Sequence, residues 1–256
     1  LSIEKTLTIN ILDRQEGPTG ILLSNATVDE NLKKGTTVGT LAALDEDAGE
    51  KHTFKLVDRE DGSPTDNALF YLSGSSLRTN QPFDFEDKSA YTLNIEVTDR
   101  DGLTHTQELT VGINDANDAP TGATLSTAEV AENLPKGTEV GTLFAIDPDD
   151  GDTHTYKLQG GADKSKFKIT GNKLLTNAIL DREAKPALEI IIRVTDTARI
   201  YTDALLTVTV TDANDAPTNV ILDNDTIAEN EPAGTTVGKL ALVDPDGAGN
   251  NSQFDF

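Results

Sequence analysis

Cysteine is absent from the sequence, so no disulfide can cross-link the chain and no thiol chemistry is available. Methionine is absent too, even at position 1, and we therefore expect an internal piece of a longer chain. There is no tryptophan, and with aromatic residues at 5% a sugar-stacking surface is not evident. No apolar run approaches the ~18 residues of a membrane-spanning helix, and no signal-peptide pattern opens the chain. Membrane attachment would then depend on missing parts of the parent protein.

Positive charge is scarce, and the formal net charge is −23. Such a surface repels phosphates, which argues against nucleic acid as a partner. The acidity could serve solubility or adaptation to salt, or the acids could be ligands. Charge that serves solubility alone has no need to keep a fixed spacing along the chain, so the spacing of the acids decides between these interpretations.

The hexapeptide Asp-Ala-Asn-Asp-Ala-Pro occurs at residues 115–120 and again at 212–217, an interval of 97 residues. Other acidic motifs recur at intervals of 97 or 102 residues: Glu30, Glu132 and Glu229; Asp45 and Asp47, Asp147 and Asp149, Asp244 and Asp246; Asp84-Phe85-Glu86 and Asp181-Arg182-Glu183; Thr98-Asp99 and Thr195-Asp196. The chain is therefore an array of one module, and carboxylates are most of what repeats.

Alternation of apolar and polar residues fills the space between these motifs. Leu93, Ile95 and Val97 alternate with polar residues, and three further segments, around residues 109–113, 188–194 and 206–210, follow the same pattern. Period-two alternation indicates strands with one face on a core and one in water. A tight hairpin is predicted at Gly171-Asn172, and no useful helical periodicity is present. About seven short strands per ~100 residues are typical of a Greek-key β-sandwich.

The hexapeptides also predict the domain boundaries. We expect the last strand of a preceding repeat plus a linker at residues 1–18, complete repeats at 19–120 and 121–217, and a truncated start of a third repeat at 218–256. The alternating Leu7, Ile9 and Ile11 would form that first strand. The first repeat is five residues longer than the second, and the extra length falls around the polar residues 58–64.

The motifs and their order resemble the cadherin repeat over the whole chain. They are Glu-Asn near the first strand, Asp-x-Asp after the second, Asp-x-Glu in mid-module, Thr-Asp before the last hairpin and Asp-x-Asn-Asp-x-Pro at the junction. The resemblance implies an all-β fold of tandem seven-stranded Greek-key β-sandwiches, with immunoglobulin-like architecture, in a linear rod. The Ala-rich linkers and the Gly-Thr-x-Val-Gly segments resemble bacterial cadherin-like modules, so we expect a secreted bacterial protein.

Calcium would explain the spacing of the acids, because it takes six to eight oxygen ligands at roughly 2.3–2.6 Å. A module with its chain ends at opposite poles brings acids from two neighbours to each junction, where they would repel one another without a cation. The resemblance implies about three calcium ions per junction. The implied ligands are Glu30, Asp84, Glu86, Asn117, Asp118, Asp147, Asp149 and Asp196 at the first junction, and Glu132, Asp181, Glu183, Asn214, Asp215, Asp244 and Asp246 at the second.

The amino-terminal junction departs from the pattern. Gln15 and Glu16 stand where the linker Asn and Asp are expected, and each is one methylene longer. Together with Gln15, a single calcium site could still form from Asp45, Asp47 and Asp99. At the second junction the third ion should be weakened, because the third repeat stops before its equivalent of Asp196.

Three other interpretations of the polar residues are disfavoured. Residues 147–152 superficially resemble an EF-hand loop but have no flanking helices or closing Glu. Paired carboxylates could serve glycoside hydrolysis, but one active site needs one pair and these recur in every module. His52 and His154 occupy equivalent positions and His105 stands alone; none has an evident nucleophile or metal-binding neighbour, so we expect structural roles and no enzyme.

The predicted function is a calcium-rigidified extender segment of a cell-surface or secreted adhesin that mediates calcium-dependent cell adhesion. Extracellular fluid supplies the millimolar calcium that suits weak extracellular sites. The alternative is a direct binding module that recognises carbohydrate or another cadherin-like domain. An accessory module of a lost enzyme is a third hypothesis. The incomplete repeats at both ends could also pair between copies through exposed strand edges.

Overall fold

The computed structural model describes residues 2–10, 12, 14–47 and 49–246. The described chain is all-β, as predicted, and it divides into two compact units at Asn117 and Asp118. Two single-turn 3₁₀ helices, Asn67–Leu69 and Lys164–Lys166, interrupt the strands. No helix within the described residues is long and apolar enough to cross a membrane.

The strands of the first unit are β1 (Gly20–Leu23), β2 (Thr27–Asp29), β3 (Thr37–Leu44), β4 (Thr53–Leu56), β5 (Phe70–Ser73), β6 (Ser76–Thr79), β7 (Ala90–Thr98) and β8 (Thr104–Asn114). Those of the second unit are β9 (Gly122–Leu125), β10 (Glu129–Ala131), β11 (Glu139–Ile146), β12 (Thr155–Gly160), β13 (Phe167–Thr170), β14 (Lys173–Thr176), β15 (Ala187–Thr195), β16 (Tyr201–Thr211), β17 (Asn219–Leu222) and β18 (Leu240–Val243).

The first unit is a sandwich of two four-stranded sheets, with strand orders β1-β3-β6-β5 and β2-β8-β7-β4. Side chains from both sheets form one core. Leu93, Ile95 and Val97 are fully buried in it, which confirms the alternation predicted for β7. The rings of Phe83 and Tyr91 meet at the same core with centroids 4.5 Å apart.

The second unit repeats this sandwich in sheets ordered β13-β14-β11-β9 and β10-β16-β15-β12. Strands β13 and β14 form the hairpin predicted at Gly171-Asn172. Strand β11 starts 102 residues after β3, whereas β13 starts 97 residues after β5. The interval therefore changes between β4 and β5, where the sequence places the insertion at 58–64. Strands β17 and β18 form a separate antiparallel pair.

Each unit contains eight strand segments, because one of its seven predicted strands is divided in two. The first predicted strand is split into β1, which pairs antiparallel with β3, and β2, which pairs parallel with β8. Asn25 lies at the crossing between the two sheets, where its Nδ2 donates to the backbone oxygens of Thr27 (2.6 Å) and Val38 (2.9 Å). These bonds tie the segment at the crossing to the start of β2 and to Val38, which the register of β3 with β6 skips.

The strand predicted near the amino terminus does not form among the described residues. Residues 2–10 and Leu12 have no regular structure, and Leu7 and Ile9 are 78% and 88% exposed. A strand needs a partner for its backbone hydrogen bonds, and none of the described residues pairs with this segment. Ile11 lies outside the described residues. The assignment of residues 1–18 to a preceding repeat stays a prediction.

An ion pair between an aspartate and a lysine, which no sequence motif indicated, recurs in both units, and in the second unit the aspartate is buried. The Asp163 carboxylate is 5% exposed and accepts hydrogen bonds from Lys185 Nζ (2.7 Å) and Glu189 N (2.8 Å). Asp66 accepts bonds from Lys88 and from the Thr92 backbone in the same way. Burial acts to raise the pKa of Asp163, but the bonds from Lys185 and Glu189 outweigh it and hold the pKa below its usual value.

We expect Asp163→Asn to destabilise the second unit by about 2 kcal/mol near neutral pH, because a buried charge-assisted bond is lost. The folded pKa lies below the unfolded one, so the wild-type contribution is complete above about pH 3.9 and disappears as the pH falls through the folded value. Denaturant unfolding near pH 7 and again near pH 3 should therefore show the difference shrinking with acid.

Asp203→Asn is the matched control for this prediction. It breaks the bidentate pair of Asp203 with Arg193 on an exposed sheet face, where water and salt screen the charges. Asp203→Asn should therefore have the smaller effect near neutral pH. Equal losses in the two variants would contradict a stabilising role for burial at Asp163.

Candidate metal centre

The most buried acid of the second unit is Glu132, which directly follows β10 and is 1% exposed. Its carboxylate accepts hydrogen bonds from the backbone amides of Arg182 (2.7 Å) and Ala213 (3.0 Å). One side chain thus joins the Glu-Asn motif to the Asp-Arg-Glu motif and to the hexapeptide. The next residue, Asn133, has φ of 60°, a left-handed conformation that Asn tolerates better than most residues.

Four carboxylates gather around Glu132. Ligand oxygens of Glu132, Glu183, Asp212 and Asp246 all lie within 4.8 Å of one another. Asp212 was not predicted as a ligand, although its place as the first residue of the repeated hexapeptide was a signal. The predicted Asp181 is not part of this compact group; its carboxylate accepts a bond from Ala184 N (2.7 Å) instead.

The crowding of these acids perturbs their protonation. Burial acts to raise the pKa of Glu132, but the backbone amides of Arg182 and Ala213 hold it below its usual value. The pKa of Glu183 is shifted in the opposite direction. A bond from its own backbone amide favours the ionised form, yet burial and the charge of Glu132 together raise the pKa of Glu183. Neighbouring carboxylates without a cation favour a proton on one of them.

The first unit holds its buried glutamate in the same way. Glu30 is 1% exposed and accepts bonds from the backbone amides of Phe85 (2.6 Å) and Ala116 (2.9 Å). Oxygens of Glu30, Asp84 and Glu86 lie within 4.8 Å of one another. The structure therefore brings these three predicted residues together, although Glu30 lies far from the other two in the sequence.

The Asp-x-Asp pairs lie in the loops after β3, β11 and β18, and each fixes the linker that precedes its own repeat. The second Asp of each pair accepts a hydrogen bond from a linker backbone amide: Asp47 from Glu16 (2.9 Å), Asp149 from Asp118 (2.8 Å) and Asp246 from Asp215 (2.6 Å). Gln15 Nε2 also donates to Asp47 (2.8 Å). Although the side chains at positions 15 and 16 are longer, the amino-terminal linker makes the same backbone hydrogen bond to its loop as the other two linkers do.

The first Asp of a pair is held by its own loop. Asp244 accepts a bond from the backbone amide two residues later, at 3.1 Å. Asp45 and Asp147 do the same and are also bonded by histidines, His52 Nε2 at 2.9 Å and His154 Nε2 at 2.6 Å. The pKa of Asp45 is lowered, first by the backbone bond and then by His52. These contacts correct the expectation that no metal-binding side chain neighbours the histidines.

Asp99 and Asp196 follow β7 and β15 and are 6% and 5% exposed. Each accepts a bond from a backbone amide four residues later, Leu103 for Asp99 (2.8 Å) and Ile200 for Asp196 (2.7 Å). Neither belongs to a compact acidic group within the described residues. The other oxygen of Asp99, Oδ2, is buried without a hydrogen-bond partner.

The predicted linker ligands are placed as follows. Asp215 Oδ1 accepts a bond from Asn133 Nδ2 (2.7 Å), which ties the linker to the loop after β10. Asn214 Nδ2 donates to the backbone oxygen of Asp215 (2.8 Å). Asn117 ends the first unit and Asp118 begins the second. Within each unit the predicted acids therefore lie at the ends of the strands and in the linkers.

Comparison with known proteins agrees with the repeat. The sequence model of the cadherin domain matches residues 24–114 and again 126–211. Human protocadherin gamma-B6 is 29% identical over 236 residues, which are 86% of this chain and 25% of that protein. Mouse protocadherin Fat 4 is 34% identical over 202 residues, 75% of this chain and 4% of that protein.

Solved structures show the same similarity. The crystal structure of the protocadherin GammaB4 extracellular domain superposes with a TM-score of 0.53 at 28% identity, covering 92% of this chain and 39% of that one. Human protocadherin-24 EC1-2 gives a TM-score of 0.53 at 19% identity, over 77% of this chain, which supports the fold. These relatives are animal proteins and lend no support to a bacterial source.

The chain spans about a quarter of the length of protocadherin gamma-B6. The cadherin domain is a module of adhesion proteins rather than of enzymes, which confirms that the chain is not an enzyme. Two matched repeats over most of the described residues, with a sandwich in each, show that the chain belongs to the cadherin family.

Proposed function

We propose that this chain is an extracellular calcium-binding segment of an adhesion protein, in which calcium at the junctions holds each repeat in a fixed relation to the next. The observation that carries the proposal is the group of Glu132, Glu183, Asp212 and Asp246 in the second unit. It unites acids from two loops, a linker and the start of the following repeat. Four carboxylates this close favour a bound cation, because the one positive charge of the Arg182 guanidinium, at 3.5 Å from Glu183 and 3.6 Å from Asp212, does not balance their charge.

The donor set fits calcium. All the acids of this group offer carboxylate oxygens, which a hard cation prefers. Asp246 Oδ1 and Asp99 Oδ2 are buried without a hydrogen-bond partner, and such orphaned oxygens are costly unless something binds them. A bound calcium ion would offset the negative charge, and it would take several of these oxygens as ligands.

The protein's own residues prepare the site for that ion. Backbone amides fix Glu132 from two sides, so the side chain is oriented before any ion arrives. The bond from Asp215 N to Asp246 fixes the linker in the same way. The proposed ligands are Glu132, Glu183, Asn214, Asp215, Asp244, Asp246, Asp212 and Asp181 at this junction; Glu30, Asp84, Glu86, Asn117, Asp118, Asp147, Asp149 and Asp196 at the preceding one; and Asp45, Asp47 and Asp99 at the amino-terminal one.

The role in adhesion rests on family membership together with the acidic composition. An extender segment would hold a binding domain of the parent protein away from the cell surface, in surroundings where calcium is roughly millimolar. The bacterial adhesin type is not part of the proposal, because the relatives are animal proteins. Recognition of carbohydrate or of another cadherin-like domain is not part of the proposal, because none of the described contacts favours it.

Small-angle scattering in millimolar calcium and again in excess chelator tests the proposal. We expect several bound calcium ions and a longer, stiffer particle in calcium, because the ions neutralise acids that otherwise repel one another. Equilibrium dialysis on the same samples counts the ions. A scattering profile that does not respond to chelator, with no calcium retained after dialysis, would mean that the repeated acids are surface charge.

A further inference from the structure

The calcium proposal leaves two histidine-containing groups without a complete explanation. Calcium is bound by oxygen, whereas His52 and His154 present imidazole nitrogens. These histidines occupy equivalent positions, 102 residues apart, and each follows the first Asp of its Asp-x-Asp pair by seven residues. A purely structural bond between His and Asp needs two side chains, but in both units a third acid completes the group.

The group in the second unit consists of Asp147, Asp152 and His154. One ligand atom of each lies within 4.8 Å of the other two. The side chains of His154 and Asp147 are only 8% and 5% exposed. Asp152 is oriented by bonds from Thr153 N (2.7 Å) and the Thr197 hydroxyl (3.1 Å), both to its Oδ1. Its Oδ2 is buried and has no hydrogen-bond partner.

The first unit repeats the group with a different acid. Asp45, Glu50 and His52 meet the same 4.8 Å limit, and Glu50 Oε2 is also buried without a hydrogen-bond partner. The third acid is therefore Glu in one unit and Asp in the other. Two independent groups leave the same oxygen of the same position unsatisfied. An accidental side-chain conformation would not recur at equivalent positions that carry different acids.

We propose that each group binds a transition-metal dication, with Zn²⁺ as the representative ion. One imidazole nitrogen and two carboxylate oxygens form a three-ligand set that zinc accepts, with a fourth position left for water. The unsatisfied oxygen of Asp152 or Glu50 supplies the third ligand. The group in the second unit lines a cleft of about 710 Å³ between Phe144, Tyr156 and the loop, which has room for the ion and its water.

Each of these groups shares one aspartate with the proposed calcium ligands and adds a histidine and a further acid that the calcium proposal does not use. The aspartates Asp45 and Asp147 are common to both proposals, because each has two oxygens. In millimolar calcium the oxygen-only groups are occupied, so any zinc taken up there reports the histidine groups. The two proposals can then fail separately, since calcium counting does not depend on the histidines.

Isothermal titration of Zn²⁺ into the whole chain in millimolar calcium tests the proposal, with Co²⁺ absorption as a second readout of ligand geometry. We expect two zinc ions per chain, one for each group. His52→Gln and His154→Gln should each remove one ion, because Gln can still donate to the aspartate but is a poor zinc ligand. Asp152→Asn should weaken its own site at least tenfold, although the substituted oxygen makes no hydrogen bond that the fold would lose.

His105→Gln is the matched control, because His105 belongs to neither group, and it should retain both ions. The proposal is overturned if the wild-type chain takes up no zinc in calcium. It is equally overturned if the double variant His52→Gln/His154→Gln takes up as much zinc as the wild type. Far-ultraviolet circular dichroism of each variant confirms that the β-sandwich is intact before its zinc count is read.

Discussion

Replacing Glu132 with Gln should weaken calcium binding at the second junction by about 100-fold, or about 3 kcal/mol. Glu132 is the buried centre of its acidic group, and its carboxylate already faces two backbone amides. Gln keeps the size and one acceptor oxygen but removes the negative charge. In chelator the same variant should lose about 1–2 kcal/mol, because one backbone amide then faces an NH2 group, and it should lose more in calcium, where ion binding is weakened as well.

Isothermal titration calorimetry measures the calcium affinity, and thermal unfolding in chelator and in calcium measures the stability. Glu129→Gln is the control, because Glu129 lies on the same strand, β10, but is exposed and outside the acidic group. It should bind calcium as the wild type does. If Glu132→Gln instead loses as much stability in chelator as in calcium, Glu132 is a structural residue and the proposed ligand role is wrong.

Gly141→Ala should destabilise the second unit by about 3 kcal/mol, which corresponds to a fall of roughly 15 °C in its unfolding temperature. A Cβ at this position would lie 2.5 Å from the backbone oxygen of Thr127 and 3.0 Å from its hydroxyl. The register of β11 against β14 shifts between Glu139 and Gly141, and the Thr127 hydroxyl donates to Val140 O at that irregularity. Backbone must therefore move to admit the methyl group.

Gly122→Ala is the matched control on the neighbouring strand, β9. Its Cβ would meet only the end of the Ile146 side chain at 3.5 Å, an ordinary contact. It should change stability little in either direction, since alanine also reduces the entropy of the unfolded chain. Thermal unfolding of both variants by circular dichroism makes the comparison. Similar unfolding temperatures of the two variants would show that the backbone at the crossing between the sheets can move to admit a methyl group at little cost in stability.

The same close approach occurs in every repeat and gives the Gly-Thr-x-Val-Gly motif a local explanation. The second Gly of each Gly-Thr-x-Val-Gly segment or its equivalent would place a Cβ within 2.5 Å of the opposing backbone oxygen. These are Gly39, Gly141 and Gly238. The glycine is therefore needed where the first strand passes between sheets, and the motif has a local steric cause.

The strands were predictable because one face of each of them packs in the core and therefore carries apolar residues. Leu188, Ile190, Ile192 and Val194 are fully buried, as their alternation indicates. The same alternation could not reveal that a segment changes sheets, because the side chains keep alternating while the hydrogen-bond partner changes. It also predicted a strand around Leu7 and Ile9, where the described chain supplies no partner. The period of the apolar residues indicates which face of a strand is buried, but it does not indicate which strand pairs with it.

The acids were predictable by repetition, and their contacts were not. Glu132 and Glu30 stood out because they keep their spacing to other acids. The amides that hold Glu132 lie 50 and 81 residues away in the sequence, so no local pattern could show them. The pair of Asp163 and Lys185 was missed for the same reason, although both recur at the 97-residue interval.

The long separation of these contacts bears on the timing of folding. Closing loops of 50 and 81 residues costs chain entropy that is recovered only when both sheets are in place. The carboxylate of Glu132 is thus fixed late, after the sandwich around it has formed. An ion that needs this carboxylate cannot guide the early steps. Its stabilisation falls on the finished domain, where it slows unfolding and leaves the rate of folding almost unchanged.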